Sequence, residues 1–138
     1  MKVLVDTSVW SLSLRRRGNV ALSDDERQMV GLLADAIQDG RVAMIGPIRQ
    51  ELLSGIKDPD QFERLRSALD AFPDEPILSR HYLEAARLYN VCRRHGVECG
   101  PVDILICAVA TANQWSILTN DSGMMRCIEA LRAVGLAI

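Results

Sequence analysis

An α/β sandwich built on a short, mainly parallel sheet is the fold class that the sequence predicts. Three observations carry that expectation. Short apolar runs of strand length alternate with longer stretches whose apolar residues recur at helical spacing. Helix start and stop residues punctuate the chain between those runs. The gaps between strands are filled by helical patterns rather than by hairpin signatures, as parallel strands with crossover connections require. At 138 residues the chain suits one compact domain, large enough to bury a core without covalent staples.

In chain order, Val3-Leu4-Val5 reads as a buried strand that ends in Asp6-Thr7-Ser8. Val9 to Arg17 forms a short helix with Trp10, Leu12 and Leu14 as apolar members, closed by Arg15-Arg16-Arg17 and Gly18, cations that suit a helix C-terminus. Ser23-Asp24-Asp25-Glu26 is a capping box, and the helix it opens places Met29, Leu33, Ala36 and Ile37 inward before Gly40. Val42 to Ile45 is a short buried strand, broken by Gly46-Pro47, with Pro47 suited to a first helical position. The helix from Ile48 to about Gly55 carries Arg49, Gln50 and Glu51 ahead of Leu52-Leu53.

Asp58-Pro59 starts a further helix with Phe62, Leu65, Leu69 and Phe72 on one stripe and Pro73 at its end. Pro76-Ile77-Leu78 is a brief strand, followed by a helix from about Arg80 to His95 whose apolar positions are broad enough to predict burial on more than one side. Gly100-Pro101 opens a helix whose body, Ile104 to Ala112, is almost wholly apolar and therefore central. Trp115 to Thr119 is a strand leading into Asn120-Asp121. A last helix, Ser122 to about Arg132, turns Met125, Ile128 and Leu131 inward, and Gly135 releases a fifth strand, Leu136-Ala137-Ile138.

Composition removes several classes. Hydrophobic residues make up 49% and charged residues 25%, a balance typical of globular chains rather than disordered ones. The apolar run at the N-terminus is interrupted by Asp6 and does not fit a signal peptide. The longest unbroken apolar run, Ile104 to Ala110, is far short of the ~20 residues that cross a bilayer, so the expectation is a cytoplasmic protein without membrane contact. Cys92, Cys99, Cys107 and Cys127 form no CxxC pair and no Cys/His cluster, so neither a zinc site nor a disulfide is expected. Net charge is −2, which alone does not favour a polyanion. Fourteen of the 16 basic residues are arginine, which suits bidentate phosphate contacts, although genomic composition accounts for the excess equally well.

The acids are the informative residues. Asp6 and Asp121 each follow a strand, Asp103 lies in the first turn of a helix opened by Gly100-Pro101, and Glu51 lies in the helix after the second strand. In a parallel α/β sheet all four routes lead to the carboxyl edge, where ligands bind. Each acid has a local explanation as a cap or a solvated carboxylate; four together at one edge point to a shared site. Clustered carboxylates repel one another, and a hard divalent cation such as Mg²⁺ or Mn²⁺ relieves that repulsion. Such a cation acidifies bound water and stabilises charge on a phosphoryl group.

Other chemistries lack their residues. Ser8 stands where a haloacid-dehalogenase-type phosphatase needs a second aspartate. A receiver domain's acidic pair and late lysine are missing, and so are a Walker A loop and G-x-G-x-x-G. His81 and His95 are too far apart to pair, and His95 is better read as a partner of a helix C-terminus.

Four motifs in order, Val-Leu-Val-Asp-Thr-Ser-Val-Trp (3–10), Gln-Glu-Leu-Leu-Ser-Gly (50–55), Val-Asp-Ile-Leu-Ile-Cys-Ala (102–108) and Leu-Thr-Asn-Asp (118–121), make the chain similar to the PIN domain. Within that family it resembles the VapC-type toxins of bacterial and archaeal toxin–antitoxin pairs. The resemblance implies a PIN-like three-layer α/β/α sandwich with a short, mainly parallel five-stranded sheet. It implies a Mg²⁺- or Mn²⁺-dependent endoribonuclease that leaves 5′-phosphate and 3′-hydroxyl ends. Asp6, Glu51, Asp103 and Asp121 would be its metal-binding and catalytic set, with Thr7, Ser8 and Thr119 as metal or phosphate support.

The implied partners are an RNA substrate (tRNA or rRNA), a cognate antitoxin that covers or enters the cleft, and a second copy in a homodimer. Arg15, Arg16, Arg17 and Arg49 are candidate contacts to RNA or antitoxin. One departure stands out: Ser122-Gly123-Met124 replaces the second aspartate and the phenylalanine of many relatives, so Met124 or Met125 must pack in place of the aromatic ring. The competing expectations are a PIN-like module that binds RNA or protein without cutting, and a PIN nuclease of RNA processing rather than a toxin.

Overall fold

Three parallel strands organise the molecule. The computed structural model describes residues 1–14 and 21–138. The sheet is formed by β1 (Val3–Val5), β2 (Val42–Ala43) and β3 (Ser116–Leu118) in the order β2-β1-β3. In register, Leu4 lies between Ala43 on one side and Ile117 on the other, and Val5 faces Leu118. The chain therefore leaves β1 toward one neighbour and returns later on its opposite flank. The carboxyl end of β1 is thus the switch point at which α/β folds open a crevice.

Seven helices accompany the strands among the described residues: α1 (Thr7–Leu14), α2 (Asp24–Gln38), α3 (Gly46–Leu53), α4 (Pro59–Leu69), α5 (Ser79–Arg94), α6 (Pro101–Asn113) and α7 (Ser122–Ala133). Their starts follow the capping chemistry of the sequence. Ser23 Oγ accepts from the Glu26 amide at 3.1 Å, and Glu26 Oε1 accepts from the Ser23 amide at 2.9 Å. Pro47, Pro59 and Pro101 sit in first turns, where no N–H is needed. Neighbouring helices pack in two groups, α1 with α2 and α3 and α3 with α4, and α5 with α6 and α7. Within the second group α6 is central: Ile104 through Ala110 are all buried, as an unbroken apolar helix must be.

Several expectations are corrected. Among the described residues the sheet has three strands, not five. Near Pro76-Ile77-Leu78 the only pairing is a bridge between Met44 and Asp74, with the Glu75 amide donating to Met44 O at 2.8 Å. Pro76 has no N–H to extend that ladder, and the Leu78 amide donates instead to His81 Nδ1 at 2.9 Å, which fixes the start of α5. At the C-terminus, Leu136 N donates to Leu131 O at 3.0 Å and Arg132 Nε donates to Ile138 O at 2.9 Å. The tail folds back on α7 rather than joining the sheet.

Helix α5 buries one face (His81, Ala85, Leu88, Cys92), leaving Leu83 and Ala86 outward. On α7 the inward residues are Met124, Cys127, Ile128 and Leu131, and Met125 faces out. Contrary to expectation, Cys99 and Cys127 form a disulfide, with Cα atoms 6.0 Å apart. Cys92 and Cys107 are buried free thiols, and burial pushes the Cys107 thiol up to about 12.

Arg49 is an internal clamp. Its Nε donates to Asp74 Oδ1 at 2.9 Å and its Nη1 to Leu69 O at 3.1 Å, while Nη2 reaches Phe72 O. One guanidinium thereby ties the end of α4 to the turn that follows it, where Leu69 O also accepts from Phe72 N at 3.0 Å. It also holds the Phe72 ring edge-on to Trp10, with centroids 5.2 Å apart.

Because Leu4 is fully buried in the middle strand, Leu4→Ala is expected to cost about 2–5 kcal/mol. In urea the midpoint should fall with the m-value unchanged. A shift worth less than about 1 kcal/mol would show that β1 is not the packed centre of the fold.

Candidate active site

The site begins where β1 ends. Asp6 N still donates to Leu118 O at 2.9 Å, so the residue remains in the ladder with β3. Its carbonyl already accepts from Val9 N and Trp10 N at 3.1 and 3.3 Å, which makes it the residue that caps α1. The side chain is only 5% exposed. A carboxylate so deep needs donors, and two hydroxyls supply them. Ser8 Oγ and Thr119 Oγ1 both donate to Oδ2, at 2.9 and 2.8 Å.

Each hydroxyl is itself fixed by a backbone amide, Asn120 N to Ser8 Oγ at 2.9 Å and Asp121 N to Thr119 Oγ1 at 3.1 Å. Oδ1 accepts no hydrogen bond among the described residues. Ser8 and Thr119 therefore orient Asp6. The pattern acid–x–hydroxyl at positions 6 and 8 was the available signal.

The other three acids arrive as the connectivity demands. Asp103 is half-buried in the first turn of α6. Its carboxyl is pushed up to about 6, first by burial and then by the charges of Asp6, Asp121 and Glu51. All four acids thus share one electrostatic environment. Asp121 caps α7, with Oδ2 accepting from Met124 N at 2.8 Å. Thr7 Oγ1 donates to Glu51 Oε1 at 3.4 Å, linking the start of α1 to α3.

The departure at Ser122-Gly123-Met124 also finds its place. A Cβ at Gly123 would lie 3.1 Å from Asp121 Oδ2, so glycine gives the capping carboxylate room. The same point lies 3.8 Å from Arg126 Nη2, which makes no ion pair with Asp121 among the described residues. Of the two methionines, Met124 is the buried one, with Sδ 3.9 Å from Cys107 Sγ.

The candidate arginines fare differently. Arg49 spends its donors inside the fold, and Arg15, Arg16 and Arg17 lie outside the described residues.

The donor set is one of hard oxygens, which suits Mg²⁺ or Mn²⁺. Among the described residues no three acidic, histidine or cysteine side chains enclose a point closely enough to hold an ion unaided.

The family model of the PIN domain matches residues 3–128, which cover every element up to most of α7. The chain belongs to the PIN-domain family. Among curated PIN-type relatives, VapC ribonuclease Mb1587 of Mycobacterium bovis is 30% identical over 125 residues, covering 87% of each chain. Ribonuclease VapC11 of Mycobacterium tuberculosis matches to the same extent. The fold is also that of a chain in the crystal structure of FitAcB from Neisseria gonorrhoeae, with a TM-score of 0.70 at 20% identity, covering 92% of this chain and 93% of that one. No helix among the described residues of this PIN domain is long and apolar enough to cross a membrane.

The raised Asp103 carboxyl has a testable sign. Its folded-state value, about 6, lies above the ordinary 3.8, so the folded protein takes up a proton that the unfolded chain gives up. Stability is therefore favoured below about pH 4 and is lost as pH rises through 6. In metal-free protein, Asp103→Asn is expected to raise the melting temperature at pH 7.5 and leave it unchanged near pH 3.5. Equal effects at both pH values would mean that the four carboxylates do not share a field. Added Mg²⁺ should raise the melting temperature of the wild type more than that of the variant.

Proposed function

We propose that this chain is a Mg²⁺- or Mn²⁺-dependent endoribonuclease that hydrolyses RNA phosphodiester bonds, the toxin of a VapC-type toxin–antitoxin pair. The observation that carries the reading is the position of Asp103, whose carboxyl responds to Asp6, Asp121 and Glu51 together. A binding surface has no use for four mutually repelling acids, whereas a divalent cation needs them. Names of relatives from two mycobacteria support the ribonuclease activity.

Asp6, through Oδ1, together with Asp103 and Asp121 would hold the cation; Glu51 would bind it as well or orient the attacking water. The bound cation would supply an acidified water and charge stabilisation on the phosphoryl group. Ser8 and Thr119 keep Asp6 in one rotamer, so the crevice is set before substrate arrives. Thr7 restrains Glu51 from the α1 side. Water adds across the P–O3′ bond, leaving a 5′-phosphate on one fragment and a 3′-hydroxyl on the other.

The substrate in this reading is tRNA or rRNA, the working form is a homodimer in the cytoplasm, and a cognate antitoxin covers the acidic crevice. An acidic crevice free of its cation would repel phosphate, which gives the antitoxin a basic segment as its natural complement.

Asp6→Asn and Asp103→Asn, each purified free of contaminating nuclease, should lose at least about 100-fold in RNA cleavage in Mg²⁺ or Mn²⁺. Full activity in either would remove the metal-site assignment. Calorimetry separates the reading from a PIN module that binds without cutting: divalent-ion binding by the wild type, weakened in Asp6→Asn, is expected here, and none in the module.

A further inference from the structure

A groove opens beside Glu51, between α1, α3 and α4. Its volume is about 590 Å³, in the range of small-ligand sites. Leu14, Leu52, Ile56 and Leu65 supply apolar walls, and Arg64 and Glu51 are among its polar lining. Glu51 belongs to both the acidic set and this groove, so an occupant of the groove lies against one of the four acids.

Arg64 differs from the arginines around it. Arg49 is committed to Asp74 and two carbonyls, and Arg66 to Glu63 and Asp70. Arg64 makes no ion pair and no hydrogen bond among the described residues, and its side chain is exposed. A guanidinium with all its donors available, placed on an apolar hollow that shares Glu51 with the acidic set, has the chemistry of a phosphate contact. The apolar walls suit the face of an unstacked base, the form in which single-stranded RNA presents its sequence.

Resting on the ribonuclease reading above, we infer that this groove is the subsite for the nucleotide flanking the scissile phosphate, with Arg64 holding its backbone phosphate and Leu52, Ile56 and Leu65 packing against its base. The groove thereby contributes to the choice of cleavage site. Among the described residues no aromatic side chain lines it, so discrimination comes from fit against aliphatic walls rather than from ring stacking.

The test uses a fluorescent 12-nucleotide random-sequence RNA and two readouts. The first is binding by anisotropy in EDTA, which needs no catalysis. Arg64→Ala should weaken it about five- to tenfold and make the slope of log K against log salt shallower by about 0.7, one phosphate contact on a single strand. Arg64→Lys should restore the slope, and Arg94→Ala, at the far end of α5, should change neither.

The second is cleavage in Mn²⁺ with fragment sequencing. Arg64→Ala should raise KM more than it lowers kcat, and Leu65→Gln should alter the base preference beside the cut.

Wild-type slope and wild-type cleavage pattern in both variants would overturn the subsite while leaving the ribonuclease reading intact. Absence of cleavage by the wild type would sink that reading, and the anisotropy arm would still decide whether Arg64 contacts RNA. Unchanged RNA binding, with weakened binding of an acidic peptide by Arg64→Ala, would assign the groove to a protein instead.

Discussion

One carboxylate oxygen holds the carboxyl edge of the sheet together. Asp6 Oδ2 receives the hydroxyl protons of Ser8 and Thr119 at 2.9 and 2.8 Å, and those hydroxyls receive the amides of Asn120 and Asp121. The first turn of α1, the end of β1 and the loop leaving β3 therefore converge on a nearly buried charge. Removing any member leaves a buried polar group without a partner, which costs more than the hydrogen bond itself contributes. The same network leaves Asp6 Oδ1 without a hydrogen bond among the described residues.

The arrangement also shows how a local cap becomes a component of a site. Asp6 caps α1, Asp121 caps α7, and Asp103 sits in the first turn of α6. Three helix N-termini thus face the acids, and their partial positive charge offsets part of the repulsion among the carboxylates. The offset is incomplete, because Asp103 still holds its proton to about pH 6. That residual tension is what a hard cation would relieve.

Much of this was legible in the residues. The capping box at Ser23, the prolines at helix starts and the apolar body of α6 each follow from local chemistry, and each stands where the sequence places it. The acids were found because strand ends and helix starts lead to the same edge of a parallel sheet. What failed was whatever depended on which of several possible partners the packed chain supplies. Leu136-Ala137-Ile138 has strand composition, but α7 supplies its hydrogen bonds. Met124 and Met125 are equally apolar, and only contact with Cys107 on α6 chooses between them. Arg49 looks like a surface cation until the carbonyls of Leu69 and Phe72 are seen at its tip.

The link between Cys99 and Cys127 has a topological consequence. The two residues are 28 positions apart, and the covalent ring they close contains all of α6, all of β3 and the first turn of α7. Asp103 and Asp121 both lie inside that ring, while Asp6 and Glu51 lie outside it. Such a closure removes about 3.5 kcal/mol of chain entropy from the unfolded ensemble. Half of the acidic set is therefore kept within a short tether even when the sheet has come apart, and refolding needs only to return β1 and α3 to a segment already confined.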